Sequence, residues 1–366
     1  MDKKKILILS MTAGSGHIRA AKALVEYAGA NLPNISAEHI NISDIANPLI
    51  KLFNQDIFKL SVENWPKTWG KIYDAFDNKS MASALSKTAK LQRPFSHNLS
   101  KYLKSKDPNG VIFTYSAPAQ MLASTFRKYS PHIKLSLVVT DYHGHSFYNV
   151  PNIDRLFVPN QKVKDELLRA GVEEGRMSIT GIPVNPRFYL KPDIEELRSK
   201  YGLNNGRPTV LFMASFLLSQ PDLITAVKQL LAFDPKINLV FVASGNKDFY
   251  DAITKFFPRQ DRLTVVNWTD TIDEYMRISD VVISKAGGLT VSECLNLNKP
   301  MILLDPIPGQ EERNAEFIEE NNLGVRIANI GEIGGALSKI GFSERKDLVS
   351  PVPQENSCEK IFKYFE

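Results

Sequence analysis

The sequence predicts an α/β protein of two doubly wound domains, and three observations carry that prediction. Short apolar runs of buried-strand type alternate with segments of helical spacing along 366 residues. Glycine turns join a strand to a helix at two separate places, Thr12 to His17 and Gly287-Gly288. Pro183 and Pro186 punctuate the middle of the chain, as at a domain crossing. The expected organisation is a first domain over 1–182, a second over 183–352, and a terminal helix over 353–366 that crosses back to the first.

The elements follow in order. Lys3 to Ser10 is a buried-strand run, and Ile18 to Asn31, rich in alanine and leucine, is the helix behind the first glycine turn. Ala37 to Ile42 is a second strand. Regular alternation then breaks down until Gly110 to Ser116 and Leu135 to Asp141, two further buried strands flanking a helix from Pro118 to Tyr129. Arg155 to Pro159 is a strand, Lys162 to Ala170 a helix, and Met177 to Ile182 the strand before the crossing. After a helix at Ile194 to Tyr201, the second domain opens with a strand, Pro208 to Ser215, and a helix, Pro221 to Leu231. Strands at Ile237 to Ser244, Arg262 to Trp268 and Asp280 to Ser284 come next, with a helix at Thr271 to Ile278 before the last of them. A helix from Leu289 to Leu297, strands at Met301 to Leu304 and Gly324 to Ala328, and helical spacing from Pro353 to Phe365 complete the pattern.

Composition narrows the class. A hydrophobic content of 43% with 23% charged residues is that of an ordinary soluble protein, and no window reaches the run of apolar residues that a membrane span requires. Met1 to Lys5 followed by a strand-like run is not a secretory signal, so a cytoplasmic location is expected. Two cysteines, Cys294 and Cys358, make neither a disulfide framework nor a metal cluster and read as packing residues. The net charge of +5 is unevenly spread. Leu49 to Lys106 holds 11 lysines and arginines against 4 acids, a net of +7, so the rest of the chain is mildly acidic. This segment also carries Trp65, Trp69, Tyr73 and Phe76 among Lys67 and Lys71. Rings and lysines in that mixture suit a membrane surface, where aromatics sit at headgroup level and lysines meet anionic lipid, and they equally suit a core insertion with a solvated face.

The densest run of chemistry is Ile283 to Asn314. Gly287 and Gly288, between a strand and a helix, direct backbone N–H groups and the positive end of the helix dipole outward, a geometry that favours a phosphate or diphosphate. A glycine pair at such a place also serves packing alone. Glu293, farther along the helix, can accept two hydrogen bonds from a ribose diol, and the polar loop from Pro306 to Asn314 offers Gln310, Glu311 and Asn314 to sugar hydroxyls. In the first domain, Gly14, Ser15 and Gly16 form a weak phosphate-type turn, lacking a third glycine or a P-loop lysine. His17, which follows, is either a general base near neutral pH or a helix-start residue bonded to a neighbouring carbonyl. Asp141, His143 and His145 alternate, so a continued strand would align them as zinc ligands, but Gly144 argues that the strand has ended and no metal site is expected.

These motifs together resemble the two-domain glycosyltransferases that include monogalactosyldiacylglycerol synthase and the processive diacylglycerol glucosyltransferases, with the lipid I N-acetylglucosaminyltransferase a more distant relative. The resemblance spans nearly the whole chain, strongest over Val281 to Arg326 and weakest between Ile45 and Lys106. It implies a GT-B architecture, two Rossmann-like domains facing a cleft, and direct displacement with inversion, moving a hexose from a UDP-sugar to diacylglycerol or a glycosyl-diacylglycerol at the cytoplasmic membrane surface. By that resemblance Gly245, Asn246, Gly287, Gly288, Leu289, Thr290, Glu293, Gln310, Glu311 and Asn314 bind the donor, His17 is the base and Asp141 its helper. Gly14, Ser15, Gly16 and His145 line the acceptor side, and Trp65, Lys67, Trp69 and Lys71 face the membrane. No cofactor beyond the donor, no metal and no nucleic-acid partner are expected, and the sequence contains no Asp-x-Asp pair. Two departures stand out: Ala214 to Gln220 contains no glycine where the family has a glycine-rich loop, and Asn185 replaces an arginine. A UDP-sugar epimerase of the same architecture and a non-catalytic sugar-nucleotide or lipid-binding protein are the alternatives.

Overall fold

In the computed structural model the described residues are 3–12, 14–45, 68, 70, 71, 74, 75, 77, 97–214, 218–234, 236–258, 260–304, 306–342 and 350–366. Trp65, Lys67 and Trp69, and the central residues 215–217 of the glycine-free turn, lie outside them. The chain divides into two compact units, one of residues Met1–Pro186, Ile307–Arg313 and Pro351–Glu366, the other of Arg187–Pro306 and Asn314–Ser350.

The first unit holds six parallel strands: β1 (Lys4–Ser10), β2 (Ile35–Asn41), β3 (Gly110–Phe113), β4 (Lys134–Val138), β5 (Arg155–Val158) and β6 (Met177–Ile179), in the order β2-β1-β3-β4-β5-β6. Side chains alternate between faces, as strand geometry requires. Ile6, Ile8, Ile112, Val138 and Phe157 are buried with the helix Gly16–Asn31 and the terminal helix Ser357–Phe362, whereas Leu7, Leu9, Val111, Phe113, Leu135 and Leu137 are buried with the helices Ser116–Tyr129 and Gln161–Arg169. The terminal helix is fastened by Cys358, Ile361 and Phe362, all fully buried, and Ser357 Oγ donates to the carbonyl of Ile182 at 3.1 Å. Strand order reverses between β1 and β3, so the turns leaving these two strands flank a topological switch point, where open α/β sheets bind ligands.

The second unit holds β7 (Thr209–Met213), β8 (Asn238–Val242), β9 (Leu263–Val266), β10 (Val281–Lys285), β11 (Met301–Leu304) and β12 (Gly324–Ile327), all parallel, ordered β12-β11-β10-β7-β8-β9. One face, with Phe212, Phe241, Ile283 and Ile302, is buried with the helices Gln220–Phe233, Lys247–Phe256 and Ile333–Ile340. Here the switch point lies between β7 and β10, so the Gly287-Gly288 turn and Ala214, just past β7, flank it. This is the doubly wound class that the sequence predicts, twice over.

Several boundaries differ from the sequence reading. The strand expected over Leu135 to Asp141 ends at Val138, leaving Thr140 and Asp141 on the loop beyond it. The strand expected to reach Ile182 ends at Ile179, since Gly181 adopts a φ of +82° and turns the chain out of the sheet. Pro306 to Asn314 is not all loop: a helix begins at Gln310 and runs to Glu320, so Gln310, Glu311 and Asn314 are helical. Its first turn is wholly polar, and the buried Ala315, Phe317 and Ile318 that mark it as helix come later. The helices His97–Ser105, Lys247–Phe256 and Ile333–Ile340 add to the elements expected from the sequence.

Candidate functional site

At the switch point of the first sheet, β1 leads through Gly14, with a φ of +104°, into the helix that starts at Gly16. Ser15 precedes that helix without a capping hydrogen bond from its side chain, and His17 sits in the first turn, only 6% exposed. The His17 Nδ1 is 2.9 Å from the carbonyl oxygen of Thr114, just past β3, and 2.9 Å from Thr140 Oγ1, just past β4. The Thr114 hydroxyl returns a bond of 2.9 Å to the His17 carbonyl, and the imidazole stacks on Tyr115 with centroids 4.2 Å apart. A carbonyl oxygen only accepts, so Nδ1 carries the proton and Nε2 the lone pair. The histidine thus bonds a neighbouring carbonyl, and that bond leaves Nε2 as the accepting nitrogen of the ring.

Burial pulls the His17 pKa below its ordinary value, opposed by the negative charge of Asp141 and the bond to Thr114. Asp141 is itself 2% exposed, and accepts from Tyr148 Oη at 2.8 Å and from Gln310 Nε2 at 2.6 Å, all within the first unit. Burial and the Asp141 charge together push the Tyr115 phenol up to about 12. Gln310, expected beside a donor sugar, therefore meets the carboxylate expected to assist the base.

The loop after Asp141 is pinned by acids. His143 lies between Asp77 and Glu166, with Nε2 3.5 Å from one carboxylate and Nδ1 3.3 Å from the other. Burial pulls its pKa down, but the two acids outweigh burial and raise it to about 9. His145 is fully buried, its Nδ1 accepts from the Phe147 N–H at 3.2 Å, and its ring stacks on Phe147 at 4.0 Å. Because that Nδ1 holds a lone pair toward Phe147, its 3.7 Å approach to Asp77 is not an ion pair. Asp141, His143 and His145 thus have three different surroundings. Among the described residues no three His, Cys, Asp or Glu side chains are grouped as a metal site requires.

In the second unit Gly287 precedes the helix Gly288–Asn296 with an ordinary φ of −72°. Among the described residues an added Cβ would meet only the Lys285 side chain, at 3.8 Å from Nζ. Neither conformation nor crowding among the described residues requires glycine at 287. Lys285, at the end of β10 and two residues before Gly287, brings an ammonium beside that helix N-terminus; a single lysine at a strand end carries no signal in the sequence alone. Leu289, Thr290 and Glu293 are buried, Glu293 to 2% exposure, and Glu311 is buried in the first unit. Asn314 is fully buried and donates to the Ala286 carbonyl at 3.0 Å, tying its helix to the glycine turn. Gly245 turns the chain after β8 with a φ of +85°, beside Trp268, which is 70% exposed. Asn246 caps the next helix by accepting from the Phe249 N–H at 3.2 Å. Asn185, where an arginine was expected, donates to Glu26 at 2.6 Å, and Lys71 is exposed.

Two family models match the chain: monogalactosyldiacylglycerol (MGDG) synthase over residues 17–184 and the glycosyltransferase family 28 C-terminal domain over residues 218–331. A curated relative, the processive diacylglycerol beta-glucosyltransferase of Staphylococcus saprophyticus, is 28% identical over 90% of this chain and 83% of its own length. Among solved structures, the UDP-GlcNAc 2-epimerase from Neisseria meningitidis bound to UDP-GlcNAc aligns at a TM-score of 0.58 and 12% identity, over 99% of both chains. The glycosyltransferase of kitacinnamycin aligns at 0.61 and 14% identity, over 100% of both chains. At such identities these two structures speak for the fold alone.

Proposed function

We propose that this chain, a member of the monogalactosyldiacylglycerol synthase family with a glycosyltransferase family 28 C-terminal domain, transfers a hexose from a UDP-sugar to diacylglycerol or a glycosyl-diacylglycerol. The relative named above is a diacylglycerol glucosyltransferase along most of the same length, which favours this acceptor. The observation that carries the chemistry is the bond between His17 Nδ1 and the Thr114 carbonyl, because it leaves the Nε2 lone pair as a base.

In this reading His17 Nε2 takes the proton of the acceptor hydroxyl as the hydroxyl oxygen attacks the anomeric carbon. The bond from that carbon to the UDP oxygen breaks, inverting the centre, and UDP leaves with the electron pair. Asp141 favours the imidazolium that forms, through its negative charge. The helix N-terminus at Gly288 and the Lys285 ammonium offset the charge gathering on the diphosphate, the part a divalent metal plays in other transferases. Glu293 holds the ribose, and Gln310, Glu311 and Asn314 orient the sugar. The lysine- and tryptophan-bearing segment between Leu49 and Lys106 meets anionic lipid at the inner face of the membrane.

UDP release over UDP-glucose, UDP-galactose and UDP-N-acetylglucosamine, with and without diacylglycerol in anionic vesicles, tests this. Release should require one sugar and the lipid together and should vanish in His17→Ala. Interconversion of UDP-sugars without lipid would instead establish an epimerase. Tight UDP binding with no turnover under any condition would establish a binding protein.

A further inference from the structure

Glu166 and Asp77 do more than flank His143. Glu166 Oε2 also accepts the Gly144 N–H at 2.6 Å, and Asp77 Oδ1 accepts the Ser146 N–H at 2.8 Å. Two carboxylates therefore hold residues 143, 144 and 146 from opposite directions, one from the helix Gln161–Arg169 and one from the turn at 77. Gly144 lies hard against that helix: a Cβ there would come within 2.7 Å of Glu166 Cβ and 2.8 Å of the Val163 carbonyl. The loop closes on itself through the bond from Tyr148 Oη to Asp141 Oδ2. Only an imidazolium has an N–H at both ring nitrogens, so only the charged form of His143 can donate to both acids.

We propose that His143, as an imidazolium held between Asp77 and Glu166, is a positioning residue that fixes the loop from Asp141 to Tyr148 and so holds Asp141 in place for His17. This rests on the assignment of His17 as the base. His143 touches none of the reacting groups and acts through the placement of Asp141. Among the described residues, the charged and titratable groups around it are Asp77 from one side, Glu166 with Lys162 behind it from the other, and His145 on the loop itself. Loss of its proton removes one of the two donors, so the loop loosens as pH rises past the point where His143 titrates, about 9.

The test is a pair of measurements on the full chain. Ring signals of labelled histidine, followed by NMR, should show His143 titrating near pH 9 in the unmodified protein and nearer 6.5 in Asp77→Asn. A midpoint near 6.5 in the unmodified protein overturns the clamp whatever the enzyme does. Glycolipid formation across pH 6 to 10 should show kcat falling on an alkaline limb near 9 with KM for the UDP-sugar unchanged. In His143→Gln, kcat should drop on the order of 10-fold at neutral pH, and the limb should flatten. Asp77→Glu should recover much of what Asp77→Asn loses. An unaltered alkaline limb in a folded His143→Gln protein overturns the proposal, and if that variant does not fold, an unaltered limb in Asp77→Asn does the same. Absence of glycolipid at every pH in the unmodified protein would instead overturn the transferase assignment, leaving the NMR titration to judge the clamp.

Discussion

The His17 imidazole and the Thr114 carbonyl, 97 residues apart in the chain, meet at 2.9 Å across the switch point of the first sheet. The contact exists because β1 and β3 are neighbours in register, Leu9 opposite Phe113, so the turns leaving them emerge side by side. It selects the tautomer, and Thr140 on the next strand's loop holds the same nitrogen from a second direction.

Replacing His17 by alanine should lower glycolipid formation by about 10²- to 10⁴-fold, the range over which a positioned general base acts. UDP affinity, measured by calorimetry, should stay within about twofold, because the diphosphate groups assigned here are on the second unit. Loss of UDP binding along with turnover would assign His17 to the donor instead.

The pH dependence of kcat/KM carries a sign. Burial lowers the His17 pKa, so the residue stays a free base below pH 6.5 and the acid limb should have its midpoint under that value. Asp141 acts in the opposite direction, so Asp141→Asn should move the midpoint lower still while reducing kcat. A midpoint that rises in this variant would contradict the electrostatic coupling.

What the sequence made legible was local. Met301 to Leu304 is a strand residue for residue, and the glycine turns before His17 and Leu289 lie at the two switch points because strand–turn–helix spacing is written in adjacent residues. The helix from Gln310 was not legible, since Gln310, Glu311, Glu312 and Arg313 give its first turn no apolar stripe. Partners brought together by sheet order left no trace in spacing. Gln310 and Asp141 are 169 residues apart, and nothing near either predicts the 2.6 Å bond between them. The same holds for Asp77 and Glu166 closing on His143.

Gly287→Ala separates packing from ligand binding. The φ of −72° and the ordinary contact a Cβ would make with the Lys285 side chain mean the fold should tolerate the methyl, with stability changed by about 1 kcal/mol or less, chiefly from the poorer helix start. UDP affinity should nevertheless fall, since the methyl stands where a phosphate approaches the helix N-terminus. A variant that binds UDP as tightly as the parent would reduce the glycine pair to packing.

Glu293→Gln should weaken UDP-sugar binding by about 1.5–3 kcal/mol, the scale of hydrogen bonds to a charged partner, and raise KM with little change in kcat. The comparison that isolates the ribose is deoxyuridine diphosphate against UDP. The unmodified protein should prefer UDP, and Glu293→Gln should lose most of that preference. Equal discrimination in both would place the ribose elsewhere.

The His143 triad also makes stability depend on pH in a defined window. The folded pKa, about 9, is above the unfolded value near 6.5, so the stabilisation is complete below 6.5 and is lost as pH rises through 9. Asp77 shifts the other way, down to about 2 from an ordinary 3.8, although burial opposes the shift. Hydrogen bonds from His143 and Ser146 outweigh that burial, so its contribution is present above 3.8 and fades as pH falls through about 2. Between these limits the triad should add about 2 kcal/mol, discounted because both acids are partly solvated. Urea unfolding at pH 6 and pH 9.5 should show the parent losing that amount, relative to His143→Gln, at the higher pH. A difference between the two proteins that stays constant with pH would mean that His143 is not an imidazolium in the folded chain, and its hold on the Asp141 loop would then have to be steric.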